Sequence, residues 1–363
     1  MSADAPEPPA LELSSLRKSF GEVLAVDRCD LALRRGEIVA LLGPSGCGKS
    51  TLLNLIAGFE TPDFGTIRLR GQVLNQMPPH RRNIAMVFQQ YAMFPHLTVF
   101  GNIAYGLQAR RLGAKRIRER VAEMVALLQL SGLEARYPAQ LSGGQRQRVA
   151  VARALAIEPD MLLLDEAFSA LDRNLREEMQ LELSLLLRRL TVTTVVVTHD
   201  QREAFALADR IAVMEAGRIV QIGVPEDVYR RPSSSHVLRF LGTTNVLGAT
   251  VAYDAAGSCV ALAPGLAFRP AELDLPGGAV TVHLRAEDVM LSARPTPIHA
   301  TAPAVVTLCT FLGAQERVVV EAGDHQIVID RPAQIGADRM PLAPGQHVFL
   351  DFDPTRCHVA RVM

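Results

Sequence analysis

The run Gly43-Pro44-Ser45-Gly46-Cys47-Gly48-Lys49-Ser50-Thr51 constrains this chain more than any other stretch. It fits G-x-x-x-x-G-K-[ST], a loop that cradles phosphates. Ile38-Val39-Ala40-Leu41-Leu42 before it is continuously apolar and reads as a buried parallel strand, and Thr51 to Ala57 after it reads as a helix. The loop therefore joins a strand end to a helix N-terminus, where free backbone N–H groups and the helix dipole attract a polyphosphate. Gly43, Gly46 and Gly48 carry no Cβ, so the backbone can curl close to the phosphates. Lys49 is expected to reach the β- and γ-phosphates, and the Ser50 hydroxyl to ligate Mg²⁺. Cys47 lies inside the loop near the helix N-terminus. Such a position raises thiol reactivity, unless the thiol is buried and inert.

Length and charge bound the rest. A chain of 363 residues suggests about two domains. Lys plus Arg (38) equals Asp plus Glu (38), which lacks the basic footprint of a nucleic-acid binder. The five cysteines form no C-x-x-C pair, which points to a reducing cytosol and away from a zinc site. Met1 to Pro9 is acidic and proline-rich, without the basic and apolar regions of a signal peptide, so residues 1–10 are expected to be a frayed tail. No apolar run approaches the ~20 residues of a membrane helix. If the protein acts at a membrane, it must dock on an embedded partner.

Along the chain, Leu11 to Leu33 alternates apolar and polar residues, as in antiparallel strands. Phe20 is either a platform for an adenine ring or a core aromatic. Ile84 to Phe88 reads as another buried strand with Gln89 at its carboxyl end, the edge where open α/β sheets hold ligands. Gln89 can offer its amide oxygen to Mg²⁺ or to an attacking water, or be simply a polar strand-end residue. Ile117, Val121, Met124, Val125 and Leu128 share one helical face within a helical insertion spanning 98–140. Before it, Tyr91 to His96 is either a contact surface or buried packing. Leu141-Ser142-Gly143-Gly144-Gln145 precedes a helix that Ser142 can cap, which makes a second anion site without a lysine of its own. Closing over a nucleotide held by another subunit would account for it.

Met161-Leu162-Leu163-Leu164-Asp165-Glu166 reads as a strand that delivers two carboxylates to the sheet edge. Asp165 suits Mg²⁺, and Glu166 suits polarising a water. Both placed on a strand, they would point to opposite faces. Ser169 to Asp172 reads as a turn, and Leu175, Met179, Leu183, Leu186 and Leu190 mark an amphipathic helix. Val195-Val196-Val197-Thr198-His199 is a third strand end, where His199 can meet a γ-phosphate. Ile211 to Met214 and Arg218 to Ile222 flank a hairpin turn. From about Asn245 the helical periodicity is gone and short β-rich runs alternate with Gly and Pro, as in a small barrel or sandwich.

Together these motifs resemble the ATP-binding-cassette ATPases. Gly43 to Ser50 matches Walker A, Gln89 the Q-loop, Leu141 to Gln145 the family signature, Leu162 to Glu166 Walker B with its glutamate, Ser169 to Asp172 the D-loop and His199 the H-loop. Phe20 sits where the family places its adenine-stacking aromatic. The motifs cover about Leu11 to Gly242 in the family's order. The resemblance implies an α/β P-loop NTPase core over 11–242, with an antiparallel β subdomain and a helical subdomain at about 90–155. It implies ATP and Mg²⁺ as cofactors. Phe20, residues 43–51 and Ser142, Gly143, Gly144 and Gln145 would hold nucleotide. Ser50, Gln89 and Asp165 would face the metal, and Lys49, Gln89, Glu166 and His199 would serve hydrolysis.

A narrower resemblance rests on Met86 to His96, Thr198-His199-Asp200-Gln201 and the β-rich tail. These look like the importer subgroup serving maltose, spermidine/putrescine, ferric iron and sulfate, whose all-β tail, here 243–363, is called a TOBE domain. Ala286 replaces the proline of that domain's Arg-Pro-Glu-Asp element, and Ala167-Phe168 departs from the usual proline after the glutamate, which touches packing rather than the acids. The family implies a homodimer whose cassettes sandwich two ATP molecules. It implies docking, in the groove near Gln89 to His96 and the helical insertion, on integral membrane permease subunits at the cytoplasmic face, with substrate delivered by an extracytoplasmic solute-binding protein. By resemblance to the family, the Tyr91 to Tyr105 stretch and the tail lean toward a polyamine or ferric-iron substrate, with sulfate, phosphonate or sugar as alternatives. The competing class is a soluble regulatory, DNA- or ribosome-associated cassette ATPase. Neutral charge and a single cassette argue against it.

Overall fold

The computed structural model describes residues 8–169, 171–254, 257–263, 266–269, 277–295, 300–333 and 342–361. The chain forms two compact units, Met1–Arg231 and Pro232–Met363. The division falls about ten residues before the 242/243 boundary expected from sequence, because a short helix at Ser235–Phe240 groups with the second unit. Most of the expected tail lies outside the described residues. Ala10, counted in that tail, is buried, and its N–H donates to Leu33 O at 2.7 Å.

In the first unit, β1 (Leu11–Phe20) and β2 (Val23–Leu33) form an antiparallel pair. After them come β3 (Ile38–Leu42), α1 (Lys49–Ala57), β4 (Phe64–Leu69), β5 (Gln72–Val73) and β6 (Ile84–Val87). The helical insertion holds α2 (Val99–Ala109) and α3 (Ala114–Leu127). Next are α4 (Gly143–Ala156), β7 (Met161–Asp165), α5 (Arg173–Leu190), β8 (Thr194–Thr198), α6 (Gln201–Leu207), β9 (Arg210–Glu215), β10 (Arg218–Gly223) and α7 (Pro225–Arg230). One sheet has the order β2-β1-β4-β5, and the other β10-β9-β3-β8-β7-β6. The second is parallel except for β10, which closes the expected hairpin against β9.

A fully buried parallel strand has no polar face, and β3 is accordingly apolar throughout with every residue at 0% exposure. Leu52, Leu53, Leu55 and Ile56 of α1 join one core with Leu11, Leu13 and Leu33 of the antiparallel sheet and with Leu41, Leu163 and Val197 of the parallel one. That core fixes α1, and with it the loop at its N-terminus. The other end of α1 is closed by Gly58 in a left-handed conformation (φ 89°). There the buried Arg82 guanidinium donates to the carbonyls of Leu55 and Ile56 at 2.7 and 2.8 Å, which satisfies free carbonyls and places a cation at the negative end of the helix dipole.

The apolar face of α3 is buried as its spacing predicts, including Ile117, Val121, Met124 and Val125. The face of α5 differs: Met179, Gln180, Leu183, Ser184 and Leu187 are buried, whereas Leu190, the helix's last residue, is exposed. The buried row steps by four from Met179, and the helix stops before Leu190 can turn inward.

The second unit opens with α8 (Ser235–Phe240). Its strands are β11 (Thr244–Asp254), β12 (Gly257–Ala263), β13 (Leu266–Phe268), β14 (Gly278–Arg285), β15 (Val289–Ser292), β16 (Ala300–Phe311), β17 (Gln315–Ala322), β18 (His325–Pro332), β19 (His347–Phe352) and β20 (His358–Arg361). They form two five-stranded antiparallel sheets, β13-β12-β11-β14-β20 and β15-β19-β16-β17-β18. Leu247, Val282 and Leu284 of the first and Val306, Val318, Leu350 and Phe352 of the second share one core. Ala286, standing for proline, is fully buried in a tight turn that Arg356 braces through Asp288 at 2.7 Å. Among the described residues, no helix is long and apolar enough to cross a membrane.

Candidate active site

Four adjacent strands, β3-β8-β7-β6, end at one edge of the parallel sheet. Their register aligns those ends: Leu42 pairs with Thr198, Asp165 with Val197 and Val87 with Leu164. Gly43, His199, Glu166 and Gln89 follow just beyond. Residues scattered over more than a hundred positions are thus gathered by strand order alone.

The loop from Gly43 to Gly48 packs tightly on its own protein. A Cβ on Gly43 would stand 2.4 Å from Met214 O, and one on Gly48, whose φ is 103°, would stand 2.2 Å from Ala25 O. Those two glycines are also required by the close approach of β9 and β2, a constraint that the sequence does not show. Gly46, with φ 81° and nothing near its Cβ direction, is the one left facing outward. Ser45 and Ser50 are exposed, and Pro44 and Thr51 are half-buried. Lys49 is buried, and its ammonium lies across the loop, donating to Gly43 O at 2.7 Å and Pro44 O at 2.9 Å. Cys47 is buried at 4% exposure, with its sulfur 3.7 Å from Lys49 Nζ and packed where a Gly43 Cβ would go. The thiol is a packing element here.

Asp165 closes β7, and Glu166 lies past it in a left-handed conformation (φ 45°). The two carboxylates therefore separate at a backbone bend, not by strand alternation as the sequence reading had it. The Glu166 N–H still donates to Val197 O at 2.9 Å, which anchors the bend to β8. Glu166 Oε1 is 2.9 Å from His199 Nδ1, and Oε2 accepts from Gln89 Nε2 at 3.3 Å. Because the Gln89 amide nitrogen faces Glu166, its oxygen is turned elsewhere and is available to a metal. Burial, and then the neighbouring Glu166 charge, push the Asp165 carboxyl up from its ordinary range, with Lys49 opposing. A carboxylate so placed is relieved by a cation. Asp165, the Ser50 hydroxyl and the Gln89 oxygen are the oxygen donors that could hold Mg²⁺, an ion that takes one or two carboxylates and completes its shell with phosphate and water. Behind these acids, Ala167 and Phe168 are fully buried, so the departure from proline lies in the packing.

Phe20 is 46% exposed at the end of β1, with Lys18 Nζ 5.2 Å from the ring centroid. Of the two readings, the core aromatic is excluded. Ser142 caps α4: its Oγ accepts from Gln145 N at 3.3 Å, and Gln145 Oε1 accepts from Ser142 N at 3.0 Å. Gly143 and Gly144 face Leu171 and Leu175, where a Cβ would come within 3.1 and 3.3 Å. The Tyr91 to His96 segment is mixed. Tyr91 is buried, whereas Ala92, Pro95 and His96 are exposed. Arg153 of α4 donates to the carbonyls of Tyr91 and Ala92, which ties this segment to the signature helix. Of the Ser169 to Asp172 turn, Ala170 lies outside the described residues, and Asp172 caps α5 by accepting from Leu175 N.

Two residues escaped the sequence reading. Glu203 is buried and accepts from Thr198 Oγ1 at 2.7 Å, and Arg176 pairs with Asp200 at 3.6 Å. Asp200 and Glu203 have the spacing of a capping box, which would have marked the start of α6 but not the inward turn of Glu203.

The family description "ABC transporter" matches residues 26–169, and "TOBE domain" matches residues 249–359. The chain belongs to the ATP-binding-cassette transporter family, as one of its ATP-hydrolysing subunits with a C-terminal TOBE domain. It is 44% identical to the spermidine/putrescine import ATP-binding protein PotA of Acidothermus cellulolyticus, over 96% of this chain and 93% of that protein. It is 46% identical to the sulfate/thiosulfate import ATP-binding protein CysA 2 of Chromobacterium violaceum (93% and 92% covered) and 48% identical to the putrescine transport ATP-binding protein PotG of Escherichia coli (79% and 77%). Among solved structures, the dimeric post-hydrolysis state of the ATP-binding cassette MJ0796, bound to ADP and Pi, is matched with a TM-score of 0.53 at 32% identity, covering 59% of this chain and 98% of that one.

Proposed function

We propose that this chain is the ATP-driven motor of a solute importer, working as a pair of cassettes at the cytoplasmic face of a membrane. The observation that carries the reading is the Glu166 carboxylate, held between His199 and Gln89 at the strand ends beside the phosphate loop. A carboxylate so oriented suits polarising a water for attack on the γ-phosphate. Lys49 and the N–H groups at the start of α1 bind and orient the β- and γ-phosphates, and Phe20 offers its exposed ring to adenine. Ser50, Asp165 and the Gln89 oxygen would hold Mg²⁺, which neutralises phosphate charge when bound. Ser142 and the N-terminus of α4 form an anion site suited to the nucleotide of a second cassette, and a relative solved as a dimer with ADP and Pi supports that pairing. Closure on ATP and reopening after hydrolysis would then be a two-state device.

Relatives named for import support docking on permease subunits, with the exposed part of Gln89 to His96 as the contact surface and a separate binding protein supplying substrate. Relatives named for spermidine and putrescine support a polyamine substrate, and the CysA relative supports sulfate as the second reading. The test is reconstitution in proteoliposomes with permease subunits and the binding protein, with ATP hydrolysis measured as solutes are added. Stimulation by spermidine or putrescine is expected. Stimulation by sulfate alone would move the substrate, and hydrolysis indifferent to any permease would remove the motor reading.

A further inference from the structure

Glu166 and His199 sit on separate loops, and their 2.9 Å contact needs both loops held in place. The loop after Glu166 turns back at once: Ser169 N and Oγ donate to Glu166 O at 3.1 and 2.9 Å. The loop after His199 is held from the other side. Thr198 Oγ1 accepts from Asp200 N at 2.9 Å while donating to the buried Glu203 at 2.7 Å. One side chain joins the two loops. Arg176 Nη2 donates to Leu171 O at 2.9 Å and lies 3.5 Å from Ser169 O, while Nη1 lies 3.6 Å from Asp200 Oδ2. The contacts close a ring that runs from Glu166 through Ser169, Arg176, Asp200 and His199 and back to Glu166.

Arg176 does little for its own helix. It lies at the start of α5, after the Asp172 cap, where a cation meets the positive end of the helix dipole. A planar fork with two separated nitrogens is, however, what a carbonyl on one loop and a carboxylate on another require.

We propose that Arg176 is a positioning residue for hydrolysis, whose guanidinium ties the loop after Glu166 to the loop after His199 and so sets the geometry of that pair. The proposal rests on the reading that Glu166 and His199 act in hydrolysis. A ring broken at Arg176 leaves both catalytic side chains present but free to separate, and misplacement by about 1 Å costs up to ~10²-fold in rate. Nucleotide binding, which belongs to the phosphate loop and Phe20, is untouched.

The experiment is steady-state ATPase and nucleotide titration on the full-length chain carrying Arg176→Met, Arg176→Lys or Asp200→Asn, with Glu166→Gln alongside. Asp200→Asn keeps the cap on Arg202 N, which Asp200 Oδ1 holds at 2.8 Å, but removes the charge that faces Arg176. The expected result is kcat lowered about 10- to 100-fold in Arg176→Met, with KM and ATP stoichiometry unchanged. Arg176→Lys should recover part of the loss, because it keeps the charge but offers one nitrogen for two places. Asp200→Asn should also lower kcat, and combined with Arg176→Met it should add no further loss. Arg176→Met within twofold of wild-type kcat, a change confined to KM, or fully additive losses would each overturn the proposal. If Arg176→Met does not fold, Arg176→Lys and Asp200→Asn decide by the same criteria. A Glu166→Gln protein that hydrolyses ATP normally would instead sink the assignment of the base, whatever Arg176 does.

Discussion

His199 Nδ1 lies 2.9 Å from Glu166 Oε1, across 33 residues of chain. With the carboxylate ionised, Nδ1 is the donor in this contact and Nε2 is the ring nitrogen turned away from it. The histidine thus has one hand on Glu166 and one free, with 57% of its side chain exposed. The pair exists because β7 and β8 are neighbours in register and because the chain bends left-handed at Glu166.

Glu166→Gln keeps the size of that side chain and an oxygen for His199, but removes the charge that polarises water. ATP binding should survive while hydrolysis falls about 10²–10⁴-fold, the usual cost of losing a positioned general base. Uncleaved ATP should hold two cassettes together, so a sizing column should show a monomer without nucleotide and a dimer with ATP and Mg²⁺. Adding Ser142→Arg places a long side chain on the exposed cap of α4 and should abolish that dimer. An inactive Glu166→Gln that never dimerises would reject the pairing and spare the base.

How far could the sequence be read? The phosphate loop, the carboxylates, the histidine and the β-rich tail were legible because each is a local pattern: an apolar run that ends in a glycine-rich loop or a polar group or, in the tail, short β-rich runs parted by Gly and Pro. Residues whose meaning lies in a distant neighbour were not. Nothing around Gly43 announces Met214 O, and nothing around Gly143 announces Leu171. The bend at Glu166 was misread as strand because alternation is what an apolar run implies until the backbone breaks it. Arg82, which closes α1, and Arg176 look like surface charges in a sequence, since only the fold brings carbonyls to them.

Lys49→Ala should do more than remove a charge. The ammonium holds the Gly43 and Pro44 carbonyls besides the phosphate role proposed for it, so its loss also frees the loop. ATP affinity, read by titration with a fluorescent nucleotide, should fall by at least about tenfold, since hydrogen bonds from a charged donor contribute about 1.5–3 kcal/mol each. Unchanged affinity and turnover would place the nucleotide elsewhere.

The Cys47 thiol is packed beneath Gly43, so an alkylating reagent reaches it only when the loop opens. Labelling of the native protein should be slow, and ATP, by holding the loop closed, should slow it further. Mass spectrometry of Cys47 over time, with and without ATP, reads both rates. Equal rates would mean that the loop does not move with nucleotide.

Glu203 makes the sharpest prediction about pH. It is buried at 3% exposure, accepts from Thr198 Oγ1, and has no partner for its other oxygen among the described residues. Burial pushes its carboxyl from 4.5 up to about 7. The Asp200 charge adds to the rise, while Thr198, Arg176 and His199 oppose it. The native state therefore keeps this proton up to about pH 7, whereas the unfolded chain releases it near 4.5. Between those values the native state binds more protons, so Glu203 contributes stability below 4.5 that is lost as pH rises through 7. At about 1.4 kcal/mol per pH unit, the loss amounts to about 3 kcal/mol. Glu203→Gln can still accept from Thr198 but cannot ionise, so it should remove that loss. Denaturant unfolding of the two proteins at a series of pH values isolates the effect from other titrating groups. The variant should gain on wild type as pH rises from about 5 to about 8. Parallel profiles would show that Glu203 is already ionised in the folded protein, with Arg176 rather than burial governing its charge.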